Sequence, residues 1–139
     1  MKDNLRRAMN AAVSACGVLL ANGSDAHHSL GMFEMNQTIT VKGTVRVFEW
    51  TNPHAWVWLT VPNDSGGVDE WGVELAALSM IRRNGMTKDS FKAGDKVSMS
   101  IHPSKEGKGG SFIYATFEDG HIVGRKPGSG GPPADASTN

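Results

Sequence analysis

Little in this sequence could staple a fold covalently. One cysteine, Cys16, stands in 139 residues, so no intrachain disulfide can form and no CxxC metal or redox motif exists. Charge of one sign is not in excess either. Fourteen basic and fourteen acidic side chains balance, which leaves no electrostatic footprint for nucleic acid. No apolar run reaches the ~18 residues of a membrane-spanning helix, so an integral membrane span is excluded. A Ser/His/Asp pattern, a phosphate-cradling glycine loop and an EF-hand loop are also missing. With no catalytic motif, a binding role is the reading rather than an enzyme. What remains is ordinary for one globular domain: 39% hydrophobic residues and 17 glycines, enough for a packed core.

The first 26 residues have the three-part layout of an export signal. Lys2, Arg6 and Arg7 are basic, Ala8 to Ala21 is mostly small and apolar, and Ser24-Asp25-Ala26 puts small residues at −3 and −1 of a cleavage site. Cleavage after Ala26 predicts a periplasmic or secreted protein that begins at His27. Three of the 14 basic and two of the 14 acidic residues would leave with the signal, as would Cys16, giving a net charge of −1. Val13-Ser14-Ala15-Cys16 resembles a lipobox, which would anchor the chain by a lipid at Cys16. The apolar core continues through Gly17-Val18-Leu19-Leu20, past that cysteine, so cleavage after Ala26 is preferred. At the other end, residues 125–139 are rich in Gly, Pro and Ser and lack any large apolar side chain. Such a tail cannot repay its ordering entropy and is read as disordered.

The domain is residues 27–124, and it alternates. Val41, Gly43, Val45 and Val47 share one face of a first strand from Ile39 to Trp50, and Gly43 marks a bend. Thr51-Asn52-Pro53 turns the chain. A second strand, Ala55 to Val61, sets Trp56 and Trp58 opposite Val57 and Leu59. Residues 63–67 make a hairpin loop before a third strand, Val68 to Leu75. Leu78, Ile81 and Arg82 then take helical spacing, predicting a short helix near Ala77 to Asn84 with Gly85 as its C-cap. Phe91 anchors a second turn. Lys96 to His102 and Ser111 to Phe117 are further strands, and His121 to Gly124 pairs back through the Asp119-Gly120 turn. Three strands, a helix and two strands predict an all-β fold: a small five-stranded OB-like barrel with one short helix between strands three and four.

Histidines are the candidate chemistry. If His27 is the mature terminus, its α-amine and imidazole supply two nitrogens, and one more imidazole completes a histidine brace suited to Cu(II). His28 offers a second route, through amine, backbone amide and imidazole. His54 follows Pro53 at the junction of strands one and two. His102 ends strand four. In an OB-fold the loops after strands one and four meet at the ligand mouth, and residues 27–36 extend up to about 33 Å, enough to reach it. The metal set is therefore His27, His28, His54 and His102, with copper as the possible cofactor. A metal-free alternative uses the same mouth: Trp50, Asn52, Trp56 and Trp58 would bind a small molecule, peptide or protein. His121 is read as solvated, Asp69, Glu70 and Glu74 as solvated strand residues, and Met32-Phe33-Glu34-Met35 as an apolar cover, with Met32 and Met35 as secondary candidates for Cu(I), which thioethers suit.

The segments His27-His28-Ser29, Met32-Phe33, Val41-Lys42-Gly43-Thr44-Val45 and Lys92-Ala93-Gly94-Asp95-Lys96-Val97 resemble a family of small exported bacterial proteins, domain-of-unknown-function family 6152 (DUF6152). Trp50-Thr51-Asn52-Pro53-His54-Ala55-Trp56 is the most specific part of the likeness. The resemblance spans Ala26 to Gly124 and implies export and a compact β domain. It implies no activity.

Overall fold

The computed structural model describes residues 31–128. Among the described residues, six strands and the helix after β3 run in the order β1 (Ile39–Glu49), β2 (Trp56–Pro62), β3 (Val68–Glu74), α1 (Leu78–Arg83), β4 (Lys96–Pro103), β5 (Gly109–Phe117) and β6 (Ile122–Gly124). The sheet order is β3-β2-β1-β4-β5-β6, and a further pairing of β3 with β5 closes the first five strands into a barrel. The closing pair is parallel and the others are antiparallel. This is the predicted five-stranded barrel, with α1 between β3 and β4. β6 is an addition that pairs with Tyr114 to Thr116 of β5.

β1 serves two neighbours in turn. Ile39 to Thr44 pair with β4, and Thr44 to Glu49 pair with β2. The handover falls at Gly43, where a Cβ would sit 2.8 Å from the Thr60 carbonyl oxygen, so only glycine lets the two strands pass this closely. The closing seam has the same logic: a Cβ on Gly109 would meet the Gly72 oxygen at 2.3 Å.

The alternating valines are buried as far as Val45. A bulge between Val45 and Val47 then shifts the register. One extra residue reverses which side chains face inward. Phe48, opposite Val57, therefore packs on the core, and Val47, opposite Trp58, turns outward. The expectation that Val47 continues the inner face is corrected by that bulge.

The barrel interior is Val41, Val45, Val57, Leu59, Val73, Val97, Met99, Ile101 and Ala115, all at most 6% exposed. Each such large side chain contributes about 1.5–3 kcal/mol by leaving water. α1 adds Leu78 and Ile81 to this core. It ends as predicted at Gly85, whose φ of 81° suits a residue without Cβ. Gly85 N–H donates to Arg82 O and Met86 N–H to Ile81 O, both at 3.0 Å, which completes a Schellman cap. Phe91, 2% exposed, does more than anchor a turn. It meets the rings of Phe48, Phe112 and Phe117 at 5.2, 6.0 and 5.6 Å and so ties the α1–β4 connection to three barrel positions.

The chain before β1 lies against the end of β4. Phe33 forms a bridge with Ser104, Glu34 N–H donates to Pro103 O at 2.8 Å, and Lys105 N–H donates to Met32 O at 2.9 Å. Phe33 is buried, yet it lies outside the contiguous barrel core. The expected apolar cover is thus Phe33 alone. Met32 and Met35 are 60% and 43% exposed.

Candidate functional site

The outer surface of β2 and β3 carries Trp56 and Trp58, and the loop before β2 brings His54 to it. Val57 and Leu59 point inward, so period two sends Trp56 and Trp58 outward. Their rings stack at 5.8 Å with an interplanar angle of 19°. Trp58 lies over Gly72, where a Cβ would come within 2.8 Å of its ring. Its Nε1 is buried without a hydrogen-bond partner.

Paired residues share a face, and one outward row runs around this side of the barrel: Glu49 opposite Trp56, Trp56 opposite Glu74, Glu74 opposite Ser111, and Ser111 opposite His102. A single strand separates Glu74 from His102, so their backbones stand about 10 Å apart. His54 joins the row through Glu74. Its Nδ1 bonds the Glu74 carboxylate, whose side chain is only 12% exposed. Leu75 N–H donating to Ala55 O at 2.8 Å fixes the loop backbone beside it. The Asn52-Pro53 peptide in that loop is cis.

Reading Glu74 as a solvated strand residue is therefore wrong. The loop folds His54 over it, a contact 20 positions apart that alternation cannot reveal. Asp69 and Glu70 are engaged too, Asp69 with Lys108 at 2.5 Å and Glu70 with Arg46 at 2.7 Å. The Lys108 hydrogen bond, and after it that of Asn63, holds the Asp69 carboxyl below its ordinary value. His121 is exposed as expected, with Nδ1 bonded to Asp119 at 2.6 Å and its ring on Phe117 at 3.9 Å.

His102 is held differently. Its Nδ1 donates to the Gln37 carbonyl at 2.7 Å. A carboxylate and a carbonyl are acceptors only, so in the neutral rings the Nδ1 of both His54 and His102 carries the proton. The lone pair then sits on Nε2 in each. A ligating histidine is oriented in this way by an acceptor behind it. Sequence reasoning found both histidines and missed both acceptors; the Gln37 carbonyl, a backbone atom, leaves no signal in sequence.

Trp50 is set apart from the Trp56–Trp58 stack in its packing. It lies edge-on to Phe48 at 5.5 Å and carries the Arg82 guanidinium 5.5 Å from its ring centre. Asn52 is exposed. His27 and His28, like the predicted signal, Cys16 and the tail beyond Gly128, lie outside the described residues. Among the described residues, no group of three His, Cys, Asp or Glu side chains is close enough to hold a metal. A cleft of about 420 Å³ lies elsewhere, along Lys42, Thr44, Lys96, Ser98, Thr116 and Glu118, and none of the predicted site residues lines it.

Residues 16–112 match a family of unknown function, DUF6152. That is well over half of the chain, and the protein belongs to this family. No curated protein matches it, and no solved structure does.

Proposed function

We propose that this DUF6152 member is an exported copper-binding protein that holds Cu(II) with the α-amine and imidazole of a terminal His27 and an imidazole of the barrel. The observation that carries this reading is the pair of tethered rings. His54 and His102 each have Nδ1 committed to an acceptor, which leaves Nε2 as the free nitrogen. Three nitrogens suit Cu(II), which heads the divalent affinity order. A terminal histidine brings two of them, so only one barrel imidazole is needed. Gly31 is followed by a segment hydrogen-bonded to Pro103 and Lys105, and the four residues back to His27 extend at most ~14 Å. Carriage or sequestration of copper is the role this supports, since no catalytic group accompanies the nitrogens.

The test has two steps. Intact mass of the exported protein should give a terminus at His27. Cu(II) competition titration of that protein, and of a version whose His27 α-amine is acetylated, should then differ by at least about tenfold, since the amine is lost as a ligand. A terminus at Cys16, or equal affinities, would remove the brace.

One observation favours a second reading. The stacked Trp56 and Trp58 lie on the β2–β3 face that OB-folds use for ligands. A metal-free module would bind a flat or ring-shaped small molecule there. Quenching of tryptophan fluorescence by such a ligand, abolished by Trp56→Ala and insensitive to copper, would select it over the brace.

A further inference from the structure

We infer that the Trp56–Trp58 stack, with Glu49 and Glu74 on either side of Trp56, binds a planar organic cation of the guanidinium or amidinium kind. The inference rests on the second reading above, a ligand on the β2–β3 face, and gives that ligand its charge. It does not depend on copper.

Strand pairing places the groups. Trp56 is directly opposite Glu49 on β1 and directly opposite Glu74 on β3. Residues paired in this way point to the same side, with Cβ atoms about 4.5–5.5 Å apart. One indole thus stands between two carboxylates, and the second indole stacks on it at 5.8 Å. The two carboxylates differ. Glu74 is mostly covered and gives its Oε1 to His54. Glu49 is exposed, and among the described residues it has no hydrogen bond or ion pair. Glu70, which faces the same way on β3, is already matched by Arg46 at 2.7 Å.

Trp50 shows the contrast. It carries the Arg82 guanidinium 5.5 Å from its ring centre, so its cation comes from within the chain. Among the described residues, neither Trp56 nor Trp58 has a cation over its ring, although Trp56 is the indole flanked by carboxylates on both neighbouring strands. The face of an indole is electron-rich and attracts a cation, and the adjoining carboxylate adds charge of the same sign. Both features favour one kind of occupant. A planar delocalised cation suits them better than an ammonium, because it can stack on the ring and fork its N–H donors onto a carboxylate at once.

The experiment uses two nearly isosteric probes, benzamidinium and its neutral counterpart benzamide, on the exported protein. Binding is read from the indole N–H resonances of Trp56 and Trp58, at low and at high salt. The expected result is a preference for benzamidinium of at least about tenfold at low salt, shrinking as salt screens the carboxylates. Glu49→Gln, at an exposed position, should cut benzamidinium affinity at least about threefold and leave benzamide binding unchanged. Methylguanidinium and a tripeptide with a central arginine then separate the two sources of this chemistry. Tighter binding of the peptide assigns the site to an arginine side chain, and equal binding assigns it to a free guanidinium compound. Equal affinity for benzamidinium and benzamide overturns the inference and leaves the flat-ligand reading standing. A preference untouched by Glu49→Gln overturns the placement of the cation between these two carboxylates. Shifts from neither probe overturn the inference and the flat-ligand reading together.

Discussion

The two faces of β2 and β3 carry different kinds of information. Inward, Val57, Leu59 and Val73 are fully buried and interchangeable in character with any barrel core. Outward, Trp56, Trp58, Gly72 and Glu74 are specific: stacked rings, a glycine with room for nothing more, and a carboxylate holding an imidazole. The inner face answers to the hydrophobic effect, which is non-directional. The outer face is built from contacts that depend on identity, and the proposed binding readings rest on that face.

The largest expected effect breaks the inner face. Leu59→Ala should lower stability by about 2–5 kcal/mol through lost burial and a residual cavity, measured as a shifted urea midpoint. The copper affinity of the molecules that remain folded should be unchanged. A variant that lost copper binding while its stability held would erase the distinction between the faces.

Next comes Gly72→Ala, which overfills the outer face. Its Cβ would come within 2.8 Å of the Trp58 ring, and overpacking of this kind costs about 1–3 kcal/mol. The ring must shift, so the near-ultraviolet circular dichroism of the Trp56–Trp58 stack should change as well. An unaltered spectrum would mean that the stack is not held by Gly72.

Glu74→Gln is gentler and separates the two histidine posts. An amide can still bond the ring but no longer brings a charge, so stability should fall by about 1 kcal/mol. If His54 supplies the barrel nitrogen, Cu(II) affinity should fall about 10–100-fold, as when a ligand loses its orienting partner. If His102 supplies it, affinity should not move, because its acceptor is the Gln37 carbonyl.

The smallest effect concerns acid. The Asp69 carboxyl is depressed by the Lys108 hydrogen bond and then by Asn63. Its folded value lies below its unfolded one, so its contribution is complete above the ordinary value of 3.8 and disappears as pH falls through the folded value. The gap in urea midpoint between wild type and Asp69→Asn should be present at neutral pH and should close in strong acid. A gap that stays constant would show that Lys108 does not act through that charge.

Strand order, the helix and its Gly85 cap were legible because each rests on local chemistry: period two, period 3.6, and a positive φ that glycine tolerates. Val47 was misassigned for a reason of the same scale. A bulge is one uneven pairing with β2, and nothing within Val45-Arg46-Val47 announces it. His54 and His102 were legible as residue types at strand ends. Glu74, by contrast, looked like any outward acidic residue until the loop laid His54 across it.

The sequence by itself determined that the chain makes a barrel, because a hydrophobic pattern with turn residues at its breaks is a property of neighbours along the chain. It also determined the inventory of donors: five histidines, seven methionines and a cysteine confined to the predicted signal. Only the tertiary structure decided which donors are aimed. Glu74 behind His54 and Gln37 behind His102 join residues 20 and 65 positions apart. Hydrogen-bond direction and strand pairing act through space, and only closure of the barrel brings those groups into contact.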